Sequence, residues 1–459
     1  MSQILTEIMT VLKDSNSLLF NAEQDLMIRC QALIATALGQ ALEELDDLLI
    51  GETKYQEIVG KRERTLNFMC GAVTFKRRLV KLADKKYVFP LDRYLQLIPR
   101  SRFSPLMVEK VAKLASHSVL RTTALAVNLL TPLSISHQKV GQLYQAAGTQ
   151  CEKQREETTL VNIEKKRRVP YLYLEGDAFC VALKAKQHHK NVFIHRLQLT
   201  EGISQNGQRR QTLNRHVFTG LNRQAVFNQV QDYLDQNYDL RATTMITGSD
   251  NGSGYEPSCF DELAVGAKKH EHFLDRYHLN RKIRSRLSKM PKILQSKLFQ
   301  GVHNWDNDQV QIVLDTCEFQ ANDADSLEAI QLLRSYLKRN WNYLKPADKR
   351  SLATETVCLG GCESNHRRFT YRLKHQGRSW SKAGLKAMIA VITSEINGQL
   401  ETAMIKMPNT LPISIMPVKV AASYFLKQPF TQHQGIRHGS ISLDAATSSA
   451  MGNLVKAIS

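Results

Sequence analysis

Apolar residues recur at helical spacing through the first 58 positions. Leu18, Leu19, Leu26, Ile28 and Leu33 are followed by Leu42, Leu45, Leu48 and Leu49, a period that predicts helices. The pattern changes after residue 60. Segments 65–68, 72–75 and 79–82 alternate apolar and polar residues, with Cys70-Gly71 between the first two. This predicts a small β-hairpin unit. Helical spacing returns over 104–158, broken at Thr131-Pro132-Leu133-Ser134. Helices on either side of such a break resemble a helix-turn-helix with a polar second helix, or are an ordinary packed pair.

A different rhythm begins at Val169. Segments 170–180, 191–199 and 209–218 read as three strands, followed by an amphipathic helix over 223–238 with Val226, Phe227, Val230 and Leu234 on one face. A fourth strand over 242–247 runs into Gly248-Ser249-Asp250-Asn251-Gly252, and a fifth over 272–274 runs into a basic helix. Three antiparallel strands followed by crossovers make a mixed sheet, the order of the ribonuclease-H-like fold. Residues 279–355 read as a helical interruption of that unit, and 381–397 as a further helix. The expected organisation is an N-terminal helical segment (1–60), a basic hairpin and helical DNA-binding region (61–168) and the first part of an α/β core (169–278). An inserted helical domain (279–355), the completion of the core (356–400) and a C-terminal tail (401–459) follow.

Charge adds a partner. The 459 residues hold 62 Lys and Arg against 43 Asp and Glu, a net +19. Residues 1–60 carry 3 basic and 10 acidic residues, whereas 61–170 carry 22 basic and 8 acidic. Such an excess points to a polyanion, here double-stranded DNA. Arg62, Arg64, Arg77 and Arg78 in the hairpin, Lys139 in the second helix of the pair, Arg281, Lys282 and Arg284 after the fifth strand, and Arg367 and Arg368 are the candidate DNA contacts. On the helix that begins near 278, Ile283 and Leu287 face inward, which suits phosphate contact better than sequence readout. No apolar run reaches the ~20 residues of a membrane span. The N-terminus lacks a basic stretch followed by an apolar one, so no signal peptide is expected. Eight cysteines make no disulfide framework, and a cytoplasmic, nucleoid-associated protein is expected.

The chemistry gathers at strand ends. Asp177 follows Leu174-Glu175-Gly176 at the end of the first strand, and Asp250 ends the fourth. Where those strands are neighbours, two hard oxygen ligands converge, as Mg2+ requires. A third carboxylate from a packed helix completes a two-metal site for in-line phosphoryl displacement. Glu363, after Gly360-Gly361-Cys362, is the best third candidate, with Glu355 and Glu395 in the same broad region. Each aspartate also has a plain structural reading, as a turn residue or a cap.

Four segments sharpen this: Leu174-Glu175-Gly176-Asp177, Gly248-Ser249-Asp250-Asn251-Gly252, Leu274-Asp275-Arg276-Tyr277-His278-Leu279-Asn280-Arg281-Lys282 and Gly361-Cys362-Glu363-Ser364-Asn365-His366. Together with Arg372-Leu373-Lys374-His375-Gln376-Gly377-Arg378-Ser379-Trp380-Ser381, they resemble the ISLre-type bacterial insertion-sequence transposases. That family, long carried as an uncharacterised one, is related to Mutator-like DDE transposases. The resemblance covers about residues 60–400. It implies a ribonuclease-H-like catalytic domain with a helical insertion between the second Asp and the Glu, and a catalytic and metal-binding triad of Asp177, Asp250 and Glu363. It also implies Mg2+, with Mn2+ substituting, and supporting roles for Asp275 and His278, which stand 25 and 28 residues after Asp250. Terminal inverted repeats and target DNA are the implied partners, for an enzyme acting at least as a dimer. Ala178 departs mildly from the small glycine-like residue expected there.

Other features weigh less. Cys358, Cys362, His270, His272 and His278 fit no closed zinc pattern, and Trp380 reads as core or as a base-stacking residue. Two further functions stay open beside the transposase: a DNA-binding protein without catalysis, repressor-like or degenerate, and a ribonuclease-H-like nuclease without strand transfer.

Overall fold

The structure, a computed structural model, describes residues 2–14, 19–97, 100–158, 166–184, 190–206, 209–352, 359–374 and 379–405. Two compact units divide near residue 95.

The first unit holds helices α1 (Ser2–Asp14) and α2 (Leu19–Glu52), strands β1 (Glu57–Phe68), β2 (Gly71–Lys81) and β3 (Tyr87–Val88), and the short helix α3 (Pro90–Tyr94). The three strands form one antiparallel sheet. Segments 72–75 and 79–82, expected as separate strands, are largely one strand, β2. The positions that break its apolar alternation, Arg77 and Arg78, are satisfied by carboxylates. Arg77 and Arg64 each meet Asp92 at 2.7 Å, and Arg78 meets the buried Asp46 at 3.1 Å. An exposed strand edge invites pairing with another chain. Here α2 covers it: Glu43 accepts the Lys76 N–H at 2.8 Å and Asp46 accepts the Arg78 N–H.

In the second unit, helices α4 (Pro105–His117), α5 (Leu120–Leu130) and α6 (His137–Thr158) precede a five-stranded sheet. Its strands are β4 (Tyr171–Leu183), β5 (Lys190–Thr200), β8 (His216–Gly220), β9 (Thr244–Ser249) and β10 (Lys269–Leu274), in the order β10-β9-β4-β5-β8. β5 runs antiparallel to both β4 and β8, whereas β9 runs parallel to β4 and β10 parallel to β9. One expected strand divides. Residues Arg209–Leu213 form β7, which pairs with β6 (Gly202–Asn206) in a separate hairpin, and only β8 joins the sheet. Alternation reports one buried face and is silent about which strand lies alongside.

Helices α7 (Arg223–Asn237) and α8 (Pro257–Leu263) cover one face of the sheet, where Leu172, Leu174, Leu197 and Leu199 meet Val226, Val230 and Phe260. On the other face, Phe179, Val181, Ile194 and Val217 share a core with α4–α6 and with α13 (Gly361–Leu373), α14 (Lys382–Ile396) and α15 (Leu400–Met404). Thus α4–α6, grouped with the hairpin in the sequence reading, pack on the sheet. The break at 131–136 is present between α5 and α6. However, α6 buries Val140, Leu143, Tyr144, Ala147 and Cys151 along one stripe, so only its remaining faces meet solvent. Between β10 and α13 come α9 (Arg276–Arg286), α10 (Lys292–Asn304), α11 (Asn307–Phe319) and α12 (Ala324–Asn340), with a core of their own around Leu298, Leu314 and Leu333. No helix among the described residues is long and apolar enough to cross a membrane.

Candidate active site

Strand register brings the aspartates together. β4 and β9 pair in parallel up to Glu175 opposite Gly248, and β9 and β10 up to Ser249 opposite Leu274. Continuing these registers sets Asp250 across from Asp177 and Asp275 across from Asp250. Three neighbouring parallel strands therefore deliver an aspartate at one level of the sheet, where β9 and β10 end; Asp177, expected at the end of its strand, lies inside β4, which runs on to Leu183. Beyond Glu175, β4 runs on paired with β5 alone, because β9 has ended. In open α/β sheets, ligands bind in the crevice outside the carboxyl ends of the strands.

The turn that carries Asp250 is heavily specified. Asp250 Oδ1 accepts the Gly252 N–H at 2.9 Å, and Asn251 adopts φ +52°, a region that asparagine tolerates better than most residues. The buried Asn251 amide is gripped from three sides: Ser249 Oγ at 2.9 Å, His272 Nε2 at 2.8 Å and Asn340 Oδ1 at 2.8 Å. Asp250 forms no ion pair among the described residues. Lys282 and Tyr336 both sense its charge. Burial lowers the Lys282 pKa while Asp250 opposes that shift, and burial first, then Asp250, pushes the Tyr336 phenol up to about 12. Lys282 Nζ lies 3.9 Å from the Tyr336 ring centre.

Asp177 shares a face of β4 with Glu175 and Phe179. Its Oδ1 accepts the Ala178 N–H at 2.7 Å, and its Oδ2 lies 3.9 Å from His366 Nδ1. Arg196, fully buried, stands opposite Asp177 in the β4/β5 register. Gly176 points to the other face, where a Cβ would lie 2.9 Å from both Phe260 and Tyr255; only glycine lets the strand approach so closely. Glu175, 7 % exposed, accepts the Gly360 N–H at 2.7 Å, which ties the start of α13 to β4 two residues from Asp177. Glu363 lies in the first turn of α13, three residues before His366; its side chain is outside the described residues.

The remaining sequence candidates are distributed as follows. Asp275 caps α9 by accepting the N–H groups of Tyr277 and His278 at 2.7 and 3.3 Å, and His278 Nδ1 lies 3.9 Å from its Oδ2. Glu395 is taken up by Ser116, His117 and Arg368. Arg368 is thereby committed to structure, as are Arg64, Arg77 and Arg78. Lys139 donates to Gln142 at 3.1 Å. Arg62, Arg281, Lys282, Arg284 and Arg367 are exposed. Trp380 is core, its indole N–H on the Leu373 carbonyl at 3.1 Å. His270 and His272 share Thr247 Oγ1 at 2.8 and 2.7 Å. Cys358 and Glu355, and the Cys362 side chain, lie outside the described residues. Among the described residues no group of three His, Cys, Asp or Glu is arranged to hold a metal.

Sequence reasoning missed His366, Arg196 and Asn251. His366 had a signal, one helical turn after Glu363. Burial, then Arg196, Lys374 and His278, push its pKa down to about 4, so it is neutral at pH 7. His272 falls to about 3 and His216 to about 4, burial being the main cause for both. In the unfolded chain these histidines bind protons below pH ~6.5, and in the folded protein they do not. Stability is therefore unaffected above that pH and falls as pH drops from 6.5 toward 4, by up to about 1.4 kcal/mol per pH unit for each histidine. Urea midpoints at pH 7.5 and 5.5 check this; equal midpoints would contradict it.

Comparison with known proteins adds a family. The Uncharacterised protein family (UPF0236) profile matches residues 13–407. A UPF0236 protein in the vanSb 3′ region of Streptococcus gallolyticus is 34% identical over 462 residues, covering 99% of both chains. A UPF0236 protein of Caldanaerobacter subterraneus subsp. tengcongensis is 24% identical over 378 residues, covering 79% of this chain and 74% of its own. Another from that organism, 23% identical over 375 residues and covering 79% and 74%, bears a name that joins eleven locus labels. The match spans nearly all of the described α/β unit and its flanking helices, and the chain belongs to the uncharacterised protein family UPF0236.

Proposed function

We propose that the protein is a DDE transposase of a bacterial insertion sequence, cutting DNA strands at the element's ends and joining them to a target. The observation that carries this reading is the register that sets Asp177, inside β4, beside Asp250, just past the end of β9. The sheet order supports a ribonuclease-H-like core, numbering the strands 5-4-1-2-3 with the second antiparallel and the last two parallel to the first. On this reading α9–α12 form the helical insertion. A relative carried under eleven locus labels is what a self-moving element leaves in a genome, and a net charge of +19 suits a DNA partner.

Asp177, Asp250 and Glu363 would hold the metal, Mg2+ or Mn2+. The donor set fits: hard carboxylate oxygens, of which Asp250 accepts one backbone N–H and forms no ion pair among the described residues. When bound, paired metals activate the attacking oxygen and stabilise the leaving one. The chain's own residues do the positioning. Asn251 fixes the turn so that the Asp250 carboxylate stays aimed. Glu175 docks the first turn of α13 beside Asp177. His366, kept neutral, lies beside Asp177 without adding a positive charge to compete for it. Arg281 and Arg284 on α9, with Ile283 and Leu287 buried beneath them, would take phosphates. Arg281→Ala is then expected to lower the salt dependence of duplex binding by about 0.9 in log–log slope; an unchanged slope would remove Arg281 from the interface.

One observation favours a binder without catalysis: the Asp250 carboxylate closes its own turn onto Gly252. Asp250→Asn separates the readings, because an amide oxygen still accepts that N–H while the charge is gone. Loss of Mg2+-dependent cleavage on an oligonucleotide carrying the element's end, with DNA binding retained, supports catalysis. Equal cleavage by both proteins would make Asp250 a turn residue. Action on paired ends implies at least a dimer, which light scattering of the DNA complex checks; a monomer there would contradict it.

A further inference from the structure

A cavity of about 610 Å³ opens beside β10, outside the aspartate row. It has the size of a small-molecule site, and its wall is aromatic and basic. Trp305 ends α10 in the left-handed conformation at φ +55°, a region a bulky residue enters only under constraint. Its indole N–H donates to the Trp341 carbonyl at 3.0 Å, and the two indoles lie parallel at 6.1 Å. Lys345 and Lys349 place their ammonium groups 5.4 and 5.2 Å from the Trp305 ring centre. Neither lysine has a carboxylate partner among the described residues, although Lys349 Nζ donates to the Asn304 carbonyl at 3.2 Å. The other charged groups of the wall are spent on structure: Arg350 binds Glu271 at 2.9 Å together with several backbone carbonyls, and His270 meets Asp261 at 2.8 Å.

A flat aromatic platform held in a strained conformation, under two uncompensated cations, suits a planar ring that carries a phosphate. We propose that this cavity takes an unpaired nucleotide of a DNA strand, its base on Trp305 and its phosphate between Lys345 and Lys349. Base stacking on an aromatic side chain tolerates any sequence, and lysine alongside supplies the charge. The cavity is linked to the aspartate row by hydrogen bonds. His270 and His272 line it, both bond Thr247, and His272 bonds Asn251, the neighbour of Asp250. This inference rests on the DNA reading above and names the strand state that the site would hold.

The test is fluorescence anisotropy of a labelled thymidine oligomer of about eight nucleotides, against an abasic oligomer of the same length. Trp305→Ala is expected to weaken binding of the thymidine oligomer about tenfold and to leave the abasic one unchanged, while Trp305→Phe stays close to wild type. The double variant Lys345→Gln/Lys349→Gln lowers the log–log salt slope for the thymidine oligomer by about 1.4, at about 0.7 per lost contact. Should Trp305→Ala not fold, the phenylalanine and lysine variants decide alone. Wild-type affinity and slope in the lysine variant, or an equal loss for both oligomers in Trp305→Ala, would overturn the proposal. Strand cleavage by the wild-type protein is measured separately, so failure of the cavity and failure of the catalytic reading are read in different assays.

Discussion

Glu363→Gln is expected to reduce Mg2+-dependent strand cleavage about a thousandfold or more while leaving DNA binding in place. A bound metal would supply several kcal/mol of transition-state charge stabilisation, and each 1.36 kcal/mol is tenfold in rate. Glu395→Gln is expected to behave oppositely, cleaving at the wild-type rate per folded molecule and losing stability. Its carboxylate bonds Ser116, His117 and Arg368, so the change leaves the part-buried Arg368 guanidinium without its carboxylate. The distinction rests on the backbone. The Gly360 N–H on Glu175 and the closeness of His366 to Asp177 put the first turn of α13 at the aspartate row, whereas Glu395 lies near the end of α14 in a network of its own. Cleavage assays on both variants, alongside their urea midpoints, check the pair. Loss of cleavage in Glu395→Gln with full cleavage in Glu363→Gln would reassign the third carboxylate.

The second large effect concerns the helix after the Pro132 break. Gly148→Leu is expected to destabilise the second unit by about 3 kcal/mol or more, or to prevent folding. A Cβ at this position would lie 2.5 Å from the Cα and carbonyl oxygen of Ala387, so α6 and α14 meet backbone to backbone. Forcing a side chain between them costs more than ordinary overpacking in a flexible core. A reading helix that leans free of the core would accept leucine there with little change. Thermal unfolding followed by circular dichroism measures the difference; an unchanged midpoint would mean that α6 does not pack in this way.

The sequence carried the sheet well at its buried parallel strands. Segments 170–180 and 242–247 lie within three residues of β4 and β9 at each end, because buried parallel strands show as short apolar runs stopped by turn residues. It carried β6–β8 poorly, since Arg209–Leu213 alternates as a sheet strand does yet pairs with its own hairpin partner. The hairpin strands were cut short because Arg77, buried against Asp92, looks like a break in the apolar pattern. At the site, Asp250 was legible as a strand end and the first turn of α13 as a glycine-led helix start, whereas Asp177, read as a strand end, lies inside β4. Arg196 and Asn251 were not legible, and His366 had only its place one turn after Glu363. A buried arginine opposite an aspartate, or an asparagine gripped from three sides, depends on register and on contacts across 89 residues, which no local pattern encodes. The cavity at Trp305 was invisible for the same reason: its lysines lie 40 and 44 residues further along the chain.

The most direct test of the central claim uses the wild-type protein and a linear duplex ending in the element's own terminal repeat, with a supercoiled plasmid as target and Mg2+ as the added metal. The account predicts nicking at the repeat's end and covalent joining of that 3′ end to the plasmid, with neither product in EDTA. Tight binding to the repeat with no nick and no joined product, in Mg2+ or in Mn2+, would contradict it and leave a protein that holds DNA without cutting it.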